Sequence, residues 1–181
     1  MDGVITDFEA RLQQVWDEKH PDQPMNFLGR KTFYAGSDED TSIGEQVQKI
    51  IHEPGFFAAL EPIEGALEAM YTMIDDGHDV FIVTSAGISY PSAASEKYLW
   101  VEQHLHKSFL AHLIITPSKF TIEGDILIDD KPEVYREEEA TWEHVLYDAS
   151  YNRQVKGKRR LTWSNWQDVV YAKTSKKASD K

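Results

Sequence analysis

Cysteine is absent from these 181 residues. Disulfides, thiolate nucleophiles and thiolate metal sites are therefore excluded. No apolar run approaches the roughly 18 residues that span a bilayer. The acidic second residue is unlike the basic start of a secretory signal. Positive charge is scarce: 19 Lys and Arg face 31 Asp and Glu, a net charge of −12. Such a surface argues against a nucleic-acid polymer or an anionic membrane as partner. It does not argue against a small anionic substrate, because a few local cations or a metal set the field in one site. Internal repeats are lacking as well. The expectation is a cytoplasmic protein whose hydrophobic content, 41%, suffices for one globular core. A homodimer is compatible with the sequence and is not specified by it.

What is present begins with Met1-Asp2-Gly3-Val4-Ile5-Thr6-Asp7-Phe8. It reads as the end of a buried strand, a tight turn and the start of a helix, with Asp2 and Asp7 around a glycine. Phe8, Leu12, Val15 and Trp16 recur at helical spacing, which predicts a helix from about Phe8 to Lys19, ended by Pro21 and Pro24. Residues 18–60 show no strand pattern and read as a small helical insertion. Within it lie the acidic run Ser37-Asp38-Glu39-Asp40, a capping box of Ser42 with Glu45, and an apolar stripe of Ile43, Val47, Ile50 and Ile51. Helices are expected over Leu67–Ile74 and Ser92–His106, and around Trp163, Trp166, Val169 and Val170. Strands are expected at 79–84, 113–116, 126–129 and 145–147, and the tail 173–181 is polar and expected to fray. Short apolar strands alternating with helices predict an α/β fold with parallel strands covered on both faces.

In such sheets ligands sit at the carboxyl ends of the strands, so the polar residues there matter most. Asp129 and Asp130 follow Ile126-Leu127-Ile128. Adjacent carboxylates repel unless a cation lies beside them. They either hold a divalent ion or divide between capping a turn and facing solvent. With Asp2 at another strand end, three oxygen donors suit Mg²⁺. Thr84 and Ser85, followed by Ala86-Gly87, fit a phosphate-holding turn or an ordinary Ser/Thr turn. Lys119, between two strands, either neutralises a phosphate or is solvated. Lys97 faces the same site or solvent. Phe33 and Tyr34 either stack on a planar ring or cement the insertion. His78, His104, His106 and His112 show no ligand spacing and read as structural or exposed.

Taken together, Asp2-Gly3-Val4 with Asp7-Phe8, Thr84-Ser85, Lys119 and Ile128-Asp129-Asp130 resemble the four motifs of the haloacid dehalogenase superfamily. More narrowly, the chain resembles the 5′(3′)-deoxyribonucleotidases. The likeness rests on Gly55-Phe56-Phe57 through Glu61-Pro62-Ile63, Glu96-Lys97-Tyr98-Leu99-Trp100, Asp125 through Pro132 and Trp142-Glu143-His144-Val145-Leu146. It implies a Rossmann-like three-layer parallel sheet, with 1–17 and 61–172 as core and 18–60 as a helical cap. It implies a Mg²⁺-dependent phosphatase acting on nucleoside monophosphates. A first aspartate would attack phosphorus, and a second, here Asp2, would protonate the leaving oxygen and then activate water. Thr84, Ser85 and Lys119 would hold the phosphate. Asp129, Asp130 and the Asp2 carbonyl would hold the metal. Phe8, Phe33, Tyr34 and Lys97 would line the nucleoside side.

Measured against that pattern, the nucleophile falls immediately before Met1, together with the first strand of the sheet. Two accounts are open. The true start lies upstream of an internal methionine, or the chain is truncated in nature and is a non-catalytic nucleotide- or metal-binding remnant. Another small phosphate ester is the alternative substrate, and these 181 residues alone are expected to form no aspartyl-phosphate. Pro117 stands in place of a basic residue, Lys131 in place of arginine and Ile51 in place of an aromatic, positions that bear on base and sugar preference.

Overall fold

A computed structural model describes residues 1–37, 39–87 and 90–178. Asp38 of the acidic run and the last three residues of the expected tail lie outside the described residues. Helix α1 (Phe8–Lys19) turns Leu12, Val15 and Trp16 inward. Asp7 caps it by accepting the Ala10 N–H at 2.9 Å. Helix α2 (Thr41–Ile51) buries Ile43, Val47, Ile50 and Ile51. Its cap is not Ser42: Asp40 Oδ1 accepts the N–H groups of Ser42 and Ile43. An aspartate directly ahead of the first turn reaches those orphan donors before Ser42 can, and Ser42 Oγ donates to the same carboxylate. A short 3-10 helix, Phe27–Gly29, links α1 to α2 and buries Phe27.

Helix α3 (Ala66–Asp75), strand β1 (Ile82–Thr84) and helix α4 (Ala93–His104) follow, then β2 (Leu113–Ile115), β3 (Ile126–Asp129), β4 (Glu143–Tyr147), β5 (Arg160–Leu161) and α5 (Trp166–Ala178). Sequence periodicity missed β5, whose two residues carry an arginine and no alternation. Helix α5 continues past Lys173, where fraying was expected. Every strand pairing is parallel, as an α/β fold requires. The strands form two separate sheets, β1-β2 and β3-β4-β5. Strand β4 is buried almost throughout, whereas Ile126, Leu127 and Ile128 of β3 are only half-buried.

The opening turn is tied down on three sides. Met1 O accepts the Ile5 N–H at 2.8 Å. The Asp7 N–H and Ile5 carbonyl bond to Glu61 and Ile63. Trp163 donates its indole N–H to the Val4 carbonyl at 2.7 Å. Gly3 takes φ +67°, and a Cβ there would stand 2.7 Å from Asp130 Oδ2 and 2.9 Å from the Tyr151 hydroxyl. Gly3→Ala is therefore expected to cost about 1–3 kcal/mol, from left-handed strain and displacement of a buried carboxylate. A urea melt of the variant checks this, with an unchanged midpoint as the contrary result.

Candidate active site

The C-terminal ends of β1 and β3, the opening turn and the 18–60 segment enclose a cavity of about 310 Å³. Asp2, Phe8, Phe33, Tyr34, Thr84, Ser85, Lys97, Lys119, Asp129 and Asp130 all line it. The sequence places them far apart; Thr84, Ser85, Asp129 and Asp130 meet because β1 and β3 end on the same side, while Phe8 and Lys97 come from α1 and α4 and Phe33 and Tyr34 from the insertion.

Two lysines dominate the field. Lys97, fully buried, donates to Asp2 Oδ2 and to the Thr84 hydroxyl at 3.0 Å, and its ammonium lies 4.9 Å from the Phe57 ring centre. Expected to line the nucleoside side, it lines the cavity and is paired there with Asp2. Lys119 donates to Asp129 Oδ2, and the Lys131 N–H reaches Asp129 Oδ1 at 2.9 Å. Burial works against ionisation of Asp2, but Lys97, then the Met1 ammonium and Lys119, hold its carboxyl below the usual range. Burial opposes Asp129 in the same way, and Lys119 brings it down. Asp130 goes the other way: burial, then the charge of Asp129, pushes it up to about 7. The Tyr151 hydroxyl donates to Asp130 Oδ2 at 2.5 Å, and burial followed by the Asp130 charge raises its own pKa.

Ser85 Oγ donates to the Thr116 carbonyl at 3.1 Å, bracing the turn after β1 against that after β2. The aromatic lining falls into two groups. Phe8 meets Phe56 edge-on at 5.4 Å, and Phe33 meets Tyr34 at 5.1 Å and Tyr151 at 5.9 Å. Tyr34 is exposed at the mouth, with the Lys131 ammonium 5.7 Å from its ring.

Several lining residues escaped sequence reasoning. Arg30 stacks 3.6 Å above the Tyr151 ring and pairs with Glu9 at 2.5 Å, joining the insertion to α1 and to the residue that holds Asp130. Gln48 and Tyr90 bond to each other at 2.9 Å across the cavity wall. None carries a local signal, because an isolated arginine or glutamine has no periodic context. Glu96 was quoted only as part of a helix. Its buried carboxylate accepts the N–H groups of Gly55 at 2.8 Å, Phe57 at 2.9 Å and Ala58 at 3.3 Å, pinning the segment by which the chain leaves the insertion. Burial opposes its ionisation, and those amides draw its pKa below the ordinary 4.5. The stabilisation is thus present above that value and lost as pH falls through the lower folded value. Glu96→Gln leaves at least one amide without an acceptor, an expected loss of about 1–3 kcal/mol. Chemical melts at pH 7 and pH 4 should show a smaller gap between variant and parent at the lower pH. An equal gap would contradict the assignment.

The donors facing the cavity are oxygens, suited to a hard cation. Asp129 and Asp130 are buried neighbours whose repulsion already raises Asp130, and a divalent ion beside them relieves it. Among the described residues no three acidic or histidine side chains converge at ligating distance. The fit is to one or two carboxylates completed by water and phosphate, the usual habit of Mg²⁺.

Residues 1–176 match the family described as 5′ nucleotidase, deoxy (pyrimidine), cytosolic type C protein. The chain belongs to this family. It is 38% identical to the human 5′(3′)-deoxyribonucleotidase, cytosolic type, over 96% of this chain and 92% of that protein. It is 34% identical to the human mitochondrial 5′(3′)-deoxyribonucleotidase, over 96% of this chain and 81% of that one. A hydrolase from Pseudomonas syringae shares the fold at 16% identity with a TM-score of 0.54, covering 94% of this chain and 95% of its own. The α/β reading and the deoxyribonucleotidase resemblance both stand, and family membership makes the chain a deoxyribonucleotidase-like phosphoric monoester hydrolase. Among the described residues no helix is long and apolar enough to cross a membrane.

Proposed function

We propose that the chain carries the site of a Mg²⁺-dependent phosphatase acting on deoxynucleoside monophosphates, with Asp2 as general acid and base. The observation that carries this reading is the meeting of the Asp2–Lys97 and Lys119–Asp129 pairs in one cavity with an aromatic wall opposite. A phosphate dianion competes for Lys97 and Lys119, and the Thr84 and Ser85 turn is placed to donate to its oxygens. Its charge raises the Asp2 carboxyl, reversing the depression the lysines impose, so that Asp2 can hold the proton a leaving sugar oxygen needs. On a route through a phosphoenzyme, the water that hydrolyses it would return the proton to Asp2. Phe8, Phe33 and Tyr34 offer faces to the nucleoside, under a cap formed by 18–60. Asp129, Asp130 and the Asp2 carbonyl would hold Mg²⁺, which supplies charge neutralisation at the phosphoryl oxygens. An aspartyl-phosphate route would require an aspartate at the peptide position before Met1, which is why the test includes an extended chain. Water attacking directly, with Asp2 as base, is the slower alternative.

The test is phosphate release from a panel of deoxy- and ribonucleoside monophosphates. It uses the 181-residue chain and a chain extended ahead of Met1 by an apolar strand ending in aspartate. The extended chain is expected to turn over deoxynucleotides, and chelating Mg²⁺ with EDTA should reduce the rate by at least about 10²-fold. Full activity in EDTA, or preference for a sugar phosphate without a base, contradicts the reading.

A further inference from the structure

Arg30 closes the short 3-10 turn Phe27–Gly29, and through it the 18–60 segment grips the core. Its Nε and Nη2 donate to Glu9 Oε1 at 3.1 and 2.5 Å, and Nη1 donates to the carbonyls of Thr32 and Phe33. The side chain is 9% exposed, with Cζ over the Tyr151 ring at 3.6 Å from its centre. A lysine lacks the planar fork and cannot meet a carboxylate, two carbonyls and a ring face at once. Burying such a charge in one conformation costs desolvation and rotamer freedom, so stability alone is a weak reason for it.

These contacts lead to two places. Toward the nucleoside side, Nη1 fixes the backbone of Phe33, whose ring meets Tyr151 edge-on at 5.9 Å. Glu9 adjoins Phe8 at the start of α1. Toward the acidic side, the Tyr151 hydroxyl donates to Asp130 Oδ2 at 2.5 Å. Asn152, the next residue, donates its side-chain amide to the Asp130 carbonyl at 2.8 Å. The turn Ser150–Asn152 thus holds Asp130 by side chain and backbone, and Arg30 bears on that turn from the insertion. A base against Phe33 orders Phe33, Arg30 and Tyr151. A cation beside Asp130 orders Asp130 and, through its hydroxyl, Tyr151. Two ligands that order the same side chains bind with positive coupling, because the first bears the ordering entropy for the second.

We propose that Arg30 is a positioning residue that joins the nucleoside wall to the Asp130 carboxylate, so that a nucleoside against Phe33 and a divalent cation beside Asp130 strengthen each other's binding. The coupling needs no phosphate, which separates it from the bridging of a metal by a phosphoryl oxygen. It rests on the phosphatase reading for the identity of the two ligands, and on the contacts of Arg30 with Phe33 and Tyr151, and of Tyr151 with Asp130, for their connection.

The experiment measures Mn²⁺ affinity by electron paramagnetic resonance, at fixed pH, with and without saturating thymidine, a deoxynucleoside that carries no phosphate. It uses the 181-residue chain and the extended chain. Thymidine is expected to tighten Mn²⁺ by about fivefold or more, and by reciprocity Mn²⁺ tightens thymidine by the same factor. In Arg30→Lys the ratio of the two Mn²⁺ affinities should fall to about one, because lysine holds neither the ring face nor both carbonyls. Tyr151→Phe keeps the ring under Arg30 and removes the hydroxyl, and its ratio should fall likewise. A merely structural arginine would weaken Mn²⁺ equally with and without thymidine and leave the ratio at the parent's value. That outcome in either variant overturns the proposal, and so does a parent whose Mn²⁺ affinity ignores thymidine. Absence of Mn²⁺ binding in both chains overturns the metal reading of the site as well, whereas binding without coupling overturns only the role of Arg30.

Discussion

Asp2→Asn in the extended chain is expected to lower phosphate release by about 10²–10⁴-fold, the range that general acid–base catalysis contributes. The asparagine keeps the size of the side chain and its 3.5 Å approach to the Thr6 hydroxyl, but can neither hold nor return a proton. Deoxynucleotides with a better leaving group should suffer less, because their departing oxygen needs less protonation. Substrate affinity should change little, since Lys97 and Lys119 remain. Turnover within tenfold of the parent would remove Asp2 from the acid–base role. The same change leaves the Lys97 ammonium, 2% exposed, without its anionic partner, facing only neutral acceptors such as the Thr84 hydroxyl. The variant should therefore also melt earlier, and rates are to be compared where both proteins are folded.

Lys97→Met is expected to carry the largest cost in stability, about 3–5 kcal/mol, the range for breaking a buried pair from one side. Methionine fills the volume under the Phe57 ring, so the loss reports charge rather than a cavity. Asp2 then has burial working on it without its main opponent, and its carboxyl should titrate above the usual range. The sign follows from linkage. In the parent, the depressed Asp2 contributes stability that is complete above the unfolded value of 3.8 and disappears as pH falls through the lower folded value. In Lys97→Met that contribution is gone, and stability should fall as pH rises through the raised Asp2 value. Urea melts from pH 3 to pH 7 check both slope and size. The double change Asp2→Asn with Lys97→Met should cost less than the sum of the singles, because neither charge is left alone. Additivity would show that the two side chains act independently.

Helix α1 was readable to its ends, since Asp7, the Leu12, Val15 and Trp16 stripe, and Pro21 are all local signals. The apolar runs of β1 and β3 were readable for the same reason, and so was the gathering of Thr84, Lys119 and Asp129 once parallel strands were inferred. Their roles rest on the proposal above. The capping of α2 was misplaced by two residues, because Ser42 and Asp40 compete for the same amides and only the backbone turn decides between them. Strand β5 was invisible: two residues cannot display a period of two.

The sequence by itself determined the inventory: an α/β chain of one core, oxygen donors and cations at strand ends, no thiol chemistry, and motifs that place it in a nucleotidase family. Periodicity and motif are local properties, legible over a dozen residues. The tertiary structure alone decided the partners. Lys97 meets Asp2 across 95 positions and Glu96 meets Gly55 across 41, contacts set by how strands and helices close on one another. It alone also decided that, among the described residues, β1 pairs with β2 and β4 with both β3 and β5, because strand pairing is a long-range hydrogen-bonding choice on which residue type exerts little control.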